Sequence, residues 1–433
     1  LSDKWLLDYL SDTFSVKDGR LYVEEKSCVE LAEEYGTPLY VTSEKRLRGN
    51  FRRLRNAFAS MKKFRIYYAV KSNSNLSILS ILRSEGAWAD CSCPAEIYEA
   101  TLCGYEKERM LYTGNYNSKE EIQYALDSGV TINFDDVDLL DKLDAANIPD
   151  MVCFRINPGA GRSGAEGLVF AGPDAKFGST EEVATKGYAK AKKLGIKKFG
   201  IHMMTGSNVL ESAYFPQITE VLLDIAGRIA KAVGIEFEFV NIGGGFGVPY
   251  KPSDRPLPID KIAKDIIRVF TEKVEQYKLG EPALCIEPGR YIVADSTILL
   301  SRVCHIKHST KVFVGLDAGM NTLLRPALYG AYHPILLANR TNEEDTMVAN
   351  ICGQICENTD ILARDRMVPN VKEEDLFAIF NCGAYGYSMS SQYNNRPRAA
   401  EVLVSGTTAE LIRRRESISD LLNGQIIPSR LLP

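Results

Sequence analysis

Between about residues 42 and 288, short apolar runs alternate with amphipathic stretches, and this alternation constrains the fold more than any other feature. Candidate strands fall at 38–41, 66–70, 87–91, 110–112, 131–134, 151–156, 198–203, 237–242 and 283–286. Helical patterns at 74–85, 95–103, 118–129 and 213–233 separate them. Repeated βα units of this kind predict a parallel sheet. The span is close to the roughly 250 residues of a (β/α)8 barrel, although a doubly wound open sheet gives a similar alternation. The placement of polar motifs favours the barrel. Nearly every candidate strand ends in one, as expected when eight loops ring a single site.

After Arg290 the texture changes. Segments 291–306, 311–316, 347–351, 376–380 and 399–404 read as β-rich, with few long helices. The expected fold is therefore α/β: a (β/α)8 barrel over 42–289, with a second, β-rich domain of sandwich or barrel type built from 1–41 and 290–433. Arg20-Leu21-Tyr22-Val23 is expected to add a strand to that second domain. The sequence shows neither internal repeats nor low-complexity segments.

Composition removes several function classes. A net charge of −4 provides no basic field for nucleic acid or an anionic membrane. The lysine-rich stretch 186–198 reads as a solvated helix face. No apolar run reaches the roughly 18–20 residues of a membrane span. The opening Leu1-Ser2-Asp3-Lys4-Trp5 carries no signal-peptide pattern. Ten cysteines are scattered through the chain, several inside apolar runs, which suits reduced thiols and a cytoplasmic location. No metal site is expected. Cys91 and Cys93 are too close for a zinc pair, Cys352 and Cys356 lack a matching second pair, and the four histidines are not at ligand spacing.

Four motifs sit at candidate strand ends. The first is Ala69-Val70-Lys71-Ser72-Asn73, which follows an apolar run. A lysine there either simply reaches solvent or lies buried, where its lowered pKa makes it the nucleophile of Schiff-base chemistry. The others are Gly206-Ser207-Asn208, Gly243-Gly244-Gly245-Phe246-Gly247 and Glu287-Pro288-Gly289-Arg290. Successive glycines let backbone N–H groups approach a phosphate, and an arginine adds charge. The triple glycine lacks dinucleotide spacing, and no P-loop is present. A lysine, a phosphate cradle and a strand-end carboxylate together point to pyridoxal 5′-phosphate, with Glu287 pairing to the ring nitrogen. The alternative for Glu287 is a salt bridge to a neighbouring arginine.

In their order along the chain, these motifs resemble those of the fold-type III pyridoxal-phosphate decarboxylases. The resemblance extends from Gly36-Thr37-Pro38-Leu39-Tyr40-Val41 through Lys176-Phe177-Gly178 and Arg325-Pro326-Ala327-Leu328-Tyr329 to Cys356-Glu357 and Gly383-Ala384-Tyr385-Gly386-Tyr387-Ser388-Met389. It implies decarboxylation of meso-2,6-diaminopimelate to L-lysine and carbon dioxide. It also implies that Lys71 carries the cofactor with Asp90 beside it, and that Ser207, Gly245, Glu287, Gly289 and Arg290 hold phosphate and ring. Tyr385 would reach cofactor and substrate. Arg290, Arg325 and Tyr329 would hold the distal carboxylate, and Glu357 the distal amino group. The family forms homodimers with shared sites, so Cys356 would come from the partner subunit and return a proton to the carbanion. A diamine-forming decarboxylase would have no use for two arginines that suit a carboxylate.

Two segments depart from the family pattern. Where the family reads His-x-His-Ile-Gly-Ser, this chain has His202-Met203-Met204-Thr205-Gly206-Ser207, which places Met204 where a histidine stacks on the cofactor. A thioether packs on a ring but carries no charge, and His202 is expected to be structural. The second departure is Asp90-Cys91-Ser92-Cys93-Pro94-Ala95-Glu96, where the family ends in Ser-Gly-Gly-Glu. Three alternatives remain open: a sister decarboxylase acting on another amino acid with a carboxylated far end, a racemase on the same barrel, and a non-enzymatic cofactor-binding protein. Glu287 argues against the racemase, and Cys356 and Arg325 against the carrier.

Overall fold

Eight parallel strands close into a barrel in strict chain order. They are β1 (Phe64–Ala69), β2 (Trp88–Cys91), β3 (Met110–Tyr112), β4 (Thr131–Phe134), β5 (Met151–Ile156), β6 (Lys198–Met203), β7 (Phe239–Asn241) and β8 (Ala283–Ile286). The computed structural model describes residues 2–144, 147–159, 161–163 and 171–432. It divides them into two compact units, one comprising 47–249 and 253–294, the other 1–46, 250–252 and 295–433.

The barrel interior explains why the strands are apolar. Tyr67 of β1, Leu111 of β3, Cys153 of β5 and Phe239 of β7 form one buried cluster, with Ala283 and Cys285 of β8. Four side chains from alternate strands make up the layer that fills such a barrel. The ring of Phe239 leaves no room for a side chain at residue 200, where a Cβ would lie 2.2 Å from it, so Gly200 of β6 passes behind the ring. Outside, helices supply the second layer. Helix Tyr214–Val233 buries Ile218, Leu222, Leu223, Ile225, Ala226 and Ile229, an i, i+4, i+7 stripe. Helix Lys119–Ser128 starts with a capping box between Ser118 and Glu121 and ends at Gly129 in the left-handed region, φ 69°.

The other unit is built on a large mixed sheet. Its path runs Ile361–Val368, Met347–Cys352, Val312–Leu316, Thr297–His308, Leu39–Ser43, Ala400–Ser405 and Thr408–Arg413, with Leu376–Ile379 and Ile335–Leu337 joined alongside. Both faces are buried. Leu39, Val41, Ile298, Leu300, Leu376 and Ala378 belong to one core, and Tyr40, Leu299, Phe377 and Ile379 to the other. This is the period-2 alternation of strands packed on two sides.

Residues Arg20–Val23 add a strand to this unit, as expected, although outside the large sheet. They form the middle of a separate three-stranded sheet with Phe14–Lys17 and Lys26–Ser27. Asp18 and Gly19, both at positive φ (49° and 73°), make the two-residue turn that closes this hairpin. The strand expected from 291 begins instead at Thr297. Residues Arg290–Val293 are helical and Ala294–Ser296 form a 3-10 turn. Tyr291, Ile292, Val293 and Ala294 are all buried, so their run carries no periodicity that separates a strand from a short helix.

Candidate active site

The ends of the eight strands carry the polar residues. Lys71 lies in the 3-10 turn Val70–Ser72 that follows β1. Its side chain is partly open, between the two alternatives that the motif offered. The side chain is 43% exposed, and its Nζ donates to Asp90 Oδ2 of β2 at 2.9 Å. Asp90 is fully buried. Burial raises its carboxyl above the ordinary range and the negative charge of Glu287 adds to that, while Lys71 pulls it down. Neighbouring strands bring these groups together, since Ala69 pairs with Asp90 in register.

Next to them, Glu287 follows β8, which pairs directly with β1. Its Oε1 accepts from Asn241 Nδ2 of β7 at 2.7 Å, and its Oε2 meets His202 Nε2 of β6 at 3.0 Å. Burial alone pushes the carboxyl up. The adjacent His202 charge and hydrogen bond, with Lys71 and Asn241, outweigh it and leave Glu287 below the usual carboxylate range. His202, expected to be structural, therefore bears directly on Glu287. The sequence offered no partner for it, nor for Asn241, whose one signal is a polar residue ending an apolar strand. His202 pairs in register with both Arg155 and Asn241. Arg155 is buried, with its guanidinium 4.5 Å from the Phe177 ring centre and 3.8 Å from Asp135. Burial lowers its pKa, although Asp135 counters it.

The glycine run is a seam between strand ends. A Cβ on Gly243 would stand 2.4 Å from Met203 O, one on Gly244 2.3 Å from Glu287 O, and one on Gly245 3.0 Å from Gly206 O. Backbone packing thus requires three glycines here. Val209 N donates to Gly245 O at 2.8 Å, which places the half-buried Ser207 alongside Gly245. Met204 Sδ accepts from Gly244 N at 3.2 Å. The 287–290 turn abuts the lysine turn, since a Cβ on Gly289 would be 2.9 Å from Ser72. Arg290, buried, opens the short helix that follows.

The second departure also reaches this site. Glu96, half-buried at the start of helix Pro94–Leu102, accepts from Ser92 N at 2.6 Å. Burial drives its carboxyl up to about 7, against the Ser92 bond and Lys71. Cys91 is buried and its thiol is pushed well up by burial.

The remaining sequence-predicted residues lie in the other unit. Arg325, buried, begins the short helix Arg325–Tyr329, with its guanidinium 5.8 Å from the Tyr329 ring. Cys356 and Glu357 are exposed in a turn after strand Met347–Cys352. Tyr385 is half-buried and sits at φ 57°.

The barrel residues fit pyridoxal phosphate. His202 Nδ1 and Asn133 Oδ1 are buried with no hydrogen-bond partner among the described residues. The glycine seam leaves backbone rather than side chains beside Ser207, and an amine and an ionised carboxylate lie on adjacent strand ends.

Comparison with known proteins gives the same answer. Residues 44–294 match the family described as pyridoxal-dependent decarboxylase, pyridoxal binding domain. The chain is similar to diaminopimelate decarboxylase of Methanothermobacter thermautotrophicus, 47% identical over 416 residues, 96% of this chain and 97% of that one. It is 40% identical to diaminopimelate decarboxylase of Archaeoglobus fulgidus over 424 residues, 97% and 100% of the two chains. The solved structure of diaminopimelate decarboxylase from M. jannaschii in co-complex with L-lysine aligns with TM-score 0.88 at 35% identity, covering 97% of this chain and 99% of that one.

Proposed function

This chain belongs to the diaminopimelate decarboxylase family of pyridoxal-dependent decarboxylases, and we propose how its own residues carry the family's reaction. The enzyme removes one carboxylate of diaminopimelate as carbon dioxide and leaves lysine, with pyridoxal phosphate as cofactor. When bound, the cofactor supplies the sink for the electron pair released as carbon dioxide leaves.

Lys71 Nζ is the group that holds the cofactor covalently, and Asp90 Oδ2 orients that nitrogen. Ser207, Gly245, Gly289 and Arg290 hold the phosphate, and Met204 packs against the ring. Glu287, kept ionised by His202 and Asn241, faces the ring nitrogen. Arg290, Arg325 and Tyr329 bind the distal carboxylate, Glu357 the distal ammonium, and Tyr385 reaches both cofactor and substrate. Cys356 Sγ delivers the proton to the α-carbon, from the partner subunit of a homodimer in the cytoplasm.

The observation that carries this reading is the meeting of charges at three consecutive strands of the barrel: Lys71 after β1 on Asp90 of β2, and Glu287 after β8 held below its ordinary pKa. The test is to incubate the purified protein with meso-diaminopimelate and measure lysine and carbon dioxide. Borohydride should fix the cofactor to the peptide containing Lys71, and a Lys71→Ala protein that still yields a fixed cofactor would sink the assignment. Mixing inactive Lys71→Ala and Cys356→Ala subunits should restore part of the activity. No recovery after demonstrated exchange would rule out the shared site.

A further inference from the structure

Asp360 lies just beyond the Cys356 and Glu357 turn and is buried, 3% exposed. Neither carboxylate oxygen faces solvent chemistry. Oδ2 accepts from Ile355 N at 2.8 Å, directly before Cys356. Oδ1 accepts from Met320 N at 2.6 Å, five residues before Arg325. Its backbone closes the turn as well. Asp360 N donates to Glu357 O at 3.0 Å, and Gly353 N donates to Asp360 O at 3.2 Å.

Two glycines make space for this carboxylate. A Cβ on Gly353 would stand 2.5 Å from Asp360 Oδ2, and one on Gly319 2.8 Å from Oδ1. A side chain at either position would displace the group that binds both loops. On the outer side, exposed Asn394, at φ 57°, accepts from Cys356 N through Oδ1 at 2.7 Å. Ser391 N donates to Asn321 O at 2.9 Å, so the same outer loop also grips the segment next to Met320.

We propose that Asp360 is a positioning residue, a clamp that sets the Cys356 and Glu357 turn and the Arg325 segment in one frame, with Asn394 as its outer counterpart. The inference rests on the roles given above to Cys356, Glu357 and Arg325. A carboxylate is required because both oxygens are acceptors of backbone N–H groups. An amide at this place offers one acceptor, and its NH2 would face a second donor. A longer glutamate has no room between the two glycines. A misplacement of about 1 Å in a reacting group costs on the order of 100-fold in rate.

The test uses holoenzyme carrying Asp360→Asn and, as a milder change on the surface, Asn394→Ala. Cofactor loading and its visible absorption should stay at the wild-type level in both. The kcat/KM for diaminopimelate should fall roughly 10–100-fold in Asp360→Asn and less in Asn394→Ala, with Asp360→Glu failing to rescue. The rate of Cys356 alkylation by iodoacetamide should change in both variants relative to exposed Cys304, read by mass spectrometry on the same sample. Folded variants with wild-type kcat/KM and unchanged Cys356 alkylation would overturn the proposal. So would an Asp360→Asn protein whose losses all track a general drop in Tm and cofactor content. If Cys356→Ala keeps full activity, the role of Cys356 fails, and alkylation rates in the two variants still decide the clamp.

Discussion

His202 Nε2 lies 3.0 Å from Glu287 Oε2, both buried, on strand ends 85 residues apart in sequence. Glu287 is held below its ordinary range, so its ionised form persists until pH falls through that lowered value. Removing His202 takes away the largest of the groups that offset burial. In His202→Ala the Glu287 carboxyl should titrate at a higher pH, and the acid limb of the kcat profile should move up with it. An unshifted limb in a folded, loaded variant would show that Glu287 does not depend on His202.

Arg325 is expected to select the far end of the substrate. Its loss leaves a charged carboxylate without a partner, roughly 2–5 kcal/mol for a buried hydrogen-bonded charge. Arg325→Ala should lose kcat/KM for diaminopimelate by a corresponding factor while keeping its cofactor. Unchanged turnover would remove this residue from the substrate site.

Met204 accepts from Gly244 N, so it supports the glycine seam. Met204→Leu keeps the volume but removes the acceptor, and should speed cofactor release. Met204→His should retain the cofactor and alter turnover. If His202→Ala alone perturbs the cofactor's absorption, Met204 has no place on the ring.

Glu96 gives a prediction for the apoprotein. Its folded carboxyl titrates near 7, above an ordinary glutamate. The folded state therefore binds more protons than the unfolded one between about pH 4.5 and 7, and stability falls across that window. A dry site would make this on the order of 3 kcal/mol, and half-burial with solvent screening reduces it to about 1. Glu96→Gln should be more stable than the parent at pH 8, by about that amount, and show no gain at pH 5. Equal urea midpoints for the two proteins at pH 8 would contradict this.

The strands and their polar ends were legible because each is local. An apolar run followed by Lys71, by Gly243-Gly244-Gly245 or by Glu287 needs no knowledge of the rest of the chain. The Glu287 partners were not legible, because β6, β7 and β8 meet only when the barrel closes. The helical start at Arg290 was hidden for a different reason. A short apolar segment buried on every side has no face to reveal its period. Whether Lys71 reached solvent or lay buried was not legible either, because its buried partner Asp90 stands on the next strand.

The glycine seam has a consequence for altering this enzyme by mutation and selection. Main-chain oxygens already fill the space where side chains would grow at 243, 244 and 245, so variation there would break the barrel before it changed chemistry. Arg325 and Tyr329 belong to a short helix of the other unit, and Glu357 to an exposed turn of it. A library seeking activity on a new far-end group is best confined to that helix and turn, with the seam held constant.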